Sequence, residues 1–163
     1  MIILGVDPGS HATGYGVIST GPVVRMLGGG VIRARKDAPL ADRLLVIHEE
    51  LTAVVGRFDP EAMAVEDLFN AKNARSSLIL GHARGVILLA GARAGLAVTE
   101  YSPREVKKAL TGNGAATKDQ VRFMVMRLLG LKDSLPLDQS DALAVALAHA
   151  GRSRFDRQFS GLA

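Results

Sequence analysis

An apolar run that stops on an acid and a turn limits what this chain can become more than any other stretch. In Met1-Ile2-Ile3-Leu4-Gly5-Val6-Asp7-Pro8-Gly9-Ser10, four of the five residues before Asp7 are apolar and two are β-branched isoleucines. This suits a central strand covered on both faces. Aspartate is depleted in strands because its short acceptor competes with the ladder, so an acid at the last position needs a reason. Two readings compete: Asp7 caps the Pro8-Gly9 turn, or the strand holds a carboxylate rigidly at the rim of a sheet, aimed at a cation.

The remaining chain frames that choice. One domain suits 163 residues, enough to bury roughly two-thirds of the unfolded surface without staples. The absence of cysteine excludes disulfides, thiolate metal sites and a cysteine nucleophile. The N-terminal apolar run is too short for a signal peptide, and Gly85 to Ala92, bracketed by Arg84 and Arg93, is too short to span a bilayer. A soluble, cytoplasmic protein with no membrane association is therefore expected. Twenty Lys and Arg against sixteen Asp and Glu, with a pI near 9.8, tilt the partner toward a polyanion.

In chain order, Thr13 to Ser19 predicts a strand. Gly21-Pro22 punctuates it, and a third strand follows from Val23 to Arg33. Within it, Gly28-Gly29-Gly30 suggests a bulge or a close backbone approach. Leu44, Ile47, Leu51, Val54, Val55 and Phe58 share one helix face, which Asp59-Pro60 ends. Ala62-Met63-Ala64-Val65-Glu66 then repeats the logic of the first strand. If the two strands are parallel neighbours, Glu66 stands at the same sheet end as Asp7.

Phe69 falls in the polar, basic stretch from Asp67 to Ser76. It either closes the core beneath a loop or is an exposed ring that stacks on an unpaired base. Ser77 to Ala94 predicts a helix in which Gly81 and Gly85 permit close approach of another helix. A strand over Ala97 to Tyr101 follows. Two capping boxes, Ser102 to Glu105 and Thr117 to Gln120, open helices that carry Lys107 and Lys118. Lys118 lies in a first turn, where the helix dipole disfavours a cation, so it is either a solvated surface lysine or aimed at phosphate. The last helix runs from Pro136 to His149. Asp138 and Asp141, three apart, share a face there, as structural caps or as paired ligands. Residues 1–150 are read as one domain and residues 151–163 as a basic, flexible tail.

Asp7, Glu66, Asp138 and Asp141 thus come from two strand ends and one helix, with only His11, His48, His82 and His149 to compete as ligands. An all-oxygen set suits Mg²⁺ or Mn²⁺, and a pair of such ions clamps both oxygens of an in-line phosphoryl displacement.

These motifs together resemble the RuvC Holliday-junction resolvases over essentially the whole chain. The likeness rests on Ile3 to Ser10 with Thr13-Gly14-Tyr15-Gly16, on Val65 to Asn73, on Leu80-Gly81-His82-Ala83-Arg84-Gly85, and on Asp138-Gln139-Ser140-Asp141-Ala142-Leu143-Ala144. It implies an α/β, RNase H-like fold with a five-stranded mixed sheet, three antiparallel strands and then parallel ones, flanked by helices. It also implies a homodimer that binds four-way junction DNA, Mg²⁺-dependent paired nicking of two like-polarity strands in recombination and repair, and partnership with a RuvA–RuvB branch-migration complex. Carried over residue by residue, Asp7, Glu66, Asp138 and Asp141 match the catalytic, metal-binding acids, with two Mg²⁺ per site and Mn²⁺ as a substitute. Phe69 matches the aromatic that contacts junction bases, and Lys107 and Lys118 the basic positions near the scissile phosphate. Some relatives carry His where Asp138 stands, so its part as ligand or water-orienting base stays open.

Two rivals remain at this point. A strand ending in Asp-x-Gly also opens the sugar-kinase and actin-like ATPases, although those folds need two such lobes. The other rival is a catalytically idle junction-binding module.

Overall fold

A computed structural model describes residues 1–67 and 73–159. Its five strands are β1 (Ile2–Asp7), β2 (Ala12–Ser19), β3 (Arg25–Arg33), β4 (Ala62–Glu66) and β5 (Ala97–Tyr101). They form one sheet in the order β3-β2-β1-β4-β5, with β1, β2 and β3 antiparallel and β4 and β5 parallel to β1. Five helices, α1 (Leu40–Phe58), α2 (Ala74–Arg93), α3 (Pro103–Thr111), α4 (Lys118–Leu129) and α5 (Leu137–Phe159), cover its two faces.

The period-2 alternation of the central strands divides the core. Leu4, Val6, Val17, Met63 and Val65 point to one side, where they bury against Ile47 and Leu51 of α1 and Ala83 and Ile87 of α2. Ile3, Ile18 and Ala64 point to the other, against Val106, Val121, Val125 and the alanine-rich middle of α5. Both expected capping boxes are present, at Ser102 with Glu105 and at Thr117 with Gln120. Helix α1 ends where Asp59 adopts a left-handed conformation (φ 47°) ahead of Pro60. An acid tolerates that region better than most side chains, and the proline disfavours continuing the helix.

The expected irregularity in the third strand is there, displaced by one residue. Val17 pairs with Gly28 but Ile18 with Met26, so Leu27 is the extra residue of a bulge. Gly28 itself lets the Phe58 ring close on the strand, since a Cβ there would lie 2.5 Å from it. At the other end of the chain the sequence reading needs correction. Helix α5 runs on to Phe159 instead of fraying at Gly151. A helical glycine costs about 1 kcal/mol, but the turn before it is anchored by buried Leu147 and Ala150, and Arg152 reaches over the Tyr101 ring.

The tightest packing in the molecule lies between α5 and the sheet. A Cβ on Gly5 would fall 2.1 Å from the carbonyl oxygen of Ala142, and one on Gly14 would fall 1.9 Å from that of Asp138. Gly16 makes room instead for the Leu143 side chain, whose Cγ would lie 2.5 Å from a Cβ there. The helix backbone therefore rests directly on the strands. Gly5→Ala should cost about 1–3 kcal/mol in chemical denaturation, because backbone and not a yielding side chain must move. Gly56→Ala should instead gain about 0.5–1 kcal/mol, because Gly56 sits in α1 with open space around it. Equal effects at the two positions would show that α5 can shift without cost.

Candidate active site

The register of the central strands brings the acids together. Asp7, the last residue of β1, pairs with Gly14 of β2, and Val6 pairs with Val65 of β4, which sets Glu66 beside Asp7 at the same sheet end. Both side chains leave the sheet on the α5 face, because directly opposed residues of neighbouring strands point the same way. The first turns of α5, lying on Gly14, bring Asp138 and Asp141 to that edge. Gln139 and Ser140 between them turn inward and are buried.

Four carboxylates share this space, and burial deprives Asp7 and Glu66 of water. Asp7 shows the consequence most strongly: its pKa is pushed up to about 8, first by desolvation, then by Glu66, with smaller contributions from Asp141 and Asp138. Glu66 is raised as well, mainly by burial, against the opposing pull of its hydrogen bond with Asp7 and of Lys118 and Lys107. The pair behaves as one shared proton, carried by Asp7 and offered to Glu66. Lys118 Nζ lies 2.9 Å from Asp141 Oδ2, and that ion pair holds the ammonium's pKa above its ordinary value. A groove of about 160 Å³ opens on this edge, lined by Glu66, Asp141, Lys107, Lys118, Pro103, Val106, Val121 and Ala144.

Six of the seven site residues expected from the sequence therefore converge, and the seventh, Phe69, falls within residues 68–72, outside the described residues. Lys118 points to an acid where the sequence offered solvent or phosphate. The donor set fits a hard dication: oxygen only, densely anionic, and short of countercharge. Among the described residues no three acidic or histidine side chains are gathered to hold an ion as they stand. The shared proton and the Lys118 ammonium meet the charge instead. Sequence reasoning missed the seat beneath the acids. Gly5, Gly14 and Gly16 lie at every second or third position of two strands, but which backbone they admit appears only once the sheet is assembled.

A family model described as crossover junction endodeoxyribonuclease RuvC matches residues 3–149. The chain is 52% identical over 151 residues to the crossover junction endodeoxyribonuclease RuvC of Syntrophotalea carbinolica, covering 92% of this chain and 94% of that protein. It is 51% identical over 158 residues to that of Myxococcus xanthus, covering 94% and 82%. Among solved structures, T. thermophilus RuvC in complex with Holliday junction substrate superposes with a TM-score of 0.90 at 39% identity, over 95% of this chain and 96% of that one. The yeast mitochondrial Holliday junction resolvase Ydc2, at 12% identity and a TM-score of 0.69 over 98% and 83%, shares the fold.

The raised Asp7 pKa carries a sign that can be measured in protein stripped of divalent cations. Between its ordinary value of 3.8 and about 8, the folded chain binds a proton that the unfolded chain does not. Stability therefore falls as pH rises through that window. Asp7→Asn has no such proton to lose. It should be more stable than the parent by on the order of a few kcal/mol at pH 9, and by nothing at pH 4. A stability difference that does not change between those pH values would show that Asp7 is ionised throughout.

Proposed function

Because the chain belongs to the RuvC family of crossover junction endodeoxyribonucleases, we propose that it resolves four-way DNA junctions by paired, Mg²⁺-dependent nicking of two like-polarity strands. The observation that carries this reading is the convergence of Asp7, Glu66, Asp138 and Asp141 at one sheet end, where desolvation and mutual repulsion push the Asp7 pKa up to about 8 and favour a proton on it. A dication in place of that proton removes both the repulsion and the desolvation penalty on the ionised acids.

Asp7, Glu66 and Asp141 would hold the metal, two ions per site with Mn²⁺ able to substitute, and Asp138 would complete the set as ligand or water-orienting base. When bound, the metal supplies Lewis-acid polarisation of the phosphodiester and an attacking water that ionises more readily. The chain's own residues do the rest. Lys118 exchanges the Asp141 carboxylate for a phosphate oxygen when DNA enters, which frees Asp141 as a ligand. Lys107, beside Glu66 in the same groove, neutralises a second oxygen. The attacking water displaces one sugar oxygen from phosphorus, and its proton ends on the leaving oxygen. Phe69 completes the reading as a ring stacked on an unpaired junction base. Partnership with a RuvA–RuvB complex follows from the family alone, and a cytoplasmic setting is consistent with a chain in which no described helix can cross a membrane.

Resolution needs two nicks before the complex dissociates, and an isologous dimer supplies two identical sites related by a two-fold axis. The outer face of α2 suits such a seam: Leu78 and Leu89 are 67% and 53% exposed, and no atom lies within 4 Å of a Cβ built on Gly81 or Gly85. Spaced at intervals of three and four, these residues form one apolar stripe on which a second copy can approach closely.

Asp7→Asn should lose nicking of a mobile four-way junction by about a hundredfold or more at saturating Mg²⁺, with junction affinity close to the parent's. Nicking within about tenfold of the parent would sink the metal role. The same assay excludes an idle binding module, because the parent must cut.

Gly85→Leu should overpack the seam and leave monomers by light scattering. On a cruciform plasmid it should yield nicked circles where the parent yields linear DNA. A still-dimeric Gly85→Leu would place the seam elsewhere.

A further inference from the structure

Arg43 carries its charge into the fold and meets no acid there. It sits in the first turn of α1 with its side chain only 8% exposed. Among the described residues no carboxylate pairs with it. Its Nη1 donates to the Ser10 carbonyl at a long 3.4 Å and lies 3.0 and 3.1 Å from Nδ1 and Nε2 of His11. Its Nε is buried without a partner. A buried cation is costly unless an anion or a full set of acceptors answers it, and one long carbonyl contact and the His11 ring, both on Nη1, leave Nε unanswered.

The surroundings add positive charge. Burial and the charges of Arg43 and Lys36 hold the His11 pKa below its ordinary value. Lys36 is exposed at the same place. The neighbouring Arg35 is not available in this way, because its Nε and Nη2 are taken up by Asp37. The planar guanidinium, with several donors in a fixed fork, is suited to two oxygens of one phosphate.

Position decides which phosphate. Ser10 and His11 belong to the turn that leaves Asp7, and three virtual bonds separate the Cα atoms of Asp7 and Ser10, at most about 11 Å. We infer that Arg43 as floor, with His11 and Lys36 as rim, forms a second phosphate seat on the β1–β2 turn, gripping the junction strand at a phosphate next to the one presented to Asp7 and Glu66. The inference rests on the junction-cutting reading above. It assigns the turn two tasks: it ends the strand that carries Asp7, and it fixes the sliding register of the strand to be cut.

The test is a titration of a labelled four-way junction at a series of salt concentrations without divalent cations, on the full chain. Arg43→Gln should weaken binding about 10- to 100-fold, the worth of a hydrogen bond to a charged group. Its plot of log affinity against log salt should be shallower by about one counterion. Should the buried substitution fail to fold, His11→Ala with Lys36→Ala, on the rim, should still flatten the slope by about one. A series of junctions with single neutral methylphosphonates flanking the cut should show one position that weakens the parent and leaves Arg43→Gln unaffected. Folded variants that keep the parent's affinity and slope overturn the seat and leave Arg43 a brace for the turn. A parent that neither binds the junction in this titration nor nicks it once Mg²⁺ is supplied defeats the junction reading and this inference together, whereas a parent that does both beside unaltered variants defeats the inference alone.

Discussion

The site depends on α5 lying with its backbone against side-chain-free strand positions. Carbonyl groups of Ala142 and Asp138 occupy the places where Cβ atoms of Gly5 and Gly14 would be. Any larger residue there would push the helix backbone off the strands and shift Asp138 and Asp141 relative to Asp7 and Glu66. Interiors pack at crystal-like density and do not deform continuously. The contact therefore sets the acids' spacing as a discrete arrangement and not as an adjustable one. The alanine-rich sequence after Asp141 serves the same end, because Ala142, Ala144 and Ala146 add almost no height between helix axis and sheet.

On that scaffold the electrostatics are deliberately unfavourable without ligand. Asp7 and Glu66 stand at the ends of strands whose preceding residues, Ile3 to Val6 and Ala62 to Val65, are buried, so the same core that fixes them also withholds water. Two lysines temper the field without cancelling it. Lys118 enters from the first turn of α4, where it opposes the helix dipole, and its ion pair with Asp141 is what makes that position tolerable. Asp141 and Lys118, proposed above as metal ligand and phosphate contact, are thus paired with each other. On that proposal the internal salt bridge is replaced by metal and substrate together.

Much of this was legible in the sequence. Apolar runs stopped by Asp7 and Glu66 gave both strand ends, and helical periodicity from Leu44 to Phe58 gave the crossover that makes their strands parallel neighbours. The two capping boxes placed α3 and α4 to the residue. What the sequence could not display were facts that arise only between elements. The glycines of β1 and β2 read as neutral strand residues until the helix across from them is known. Lys118 faces an acid 23 positions later, and no local pattern encodes such a pairing. Gly151 looked like a stop because propensity counts a glycine and not the docking of the turn before it. Arg43 was hidden in the same way: in a helical pattern it passes as a surface residue, and only burial without an acid marks it out.

The strand that carries Glu66 is also tied to the helix we assign to the subunit seam. Asp67, the next residue, extends the ladder by donating its N–H to the Tyr101 carbonyl at 2.8 Å. Its carboxylate meets Arg84 of α2, and the same guanidinium pairs with Glu100 of β5. One arginine therefore binds α2 to the ends of two parallel strands, a single residue from Glu66. On the far side of residues 68–72, Asn73 caps α2 by accepting from the Ser76 N–H at 2.8 Å. The segment containing Phe69 is thus held at both ends, by an ion pair at Asp67 and by a helix cap at Asn73. Glu66 is locked into the ladder on the near side of that anchor. The acid's position is therefore fixed by β4, β5 and α2 alone, although Phe69, proposed above to stack on a base, follows only three positions later.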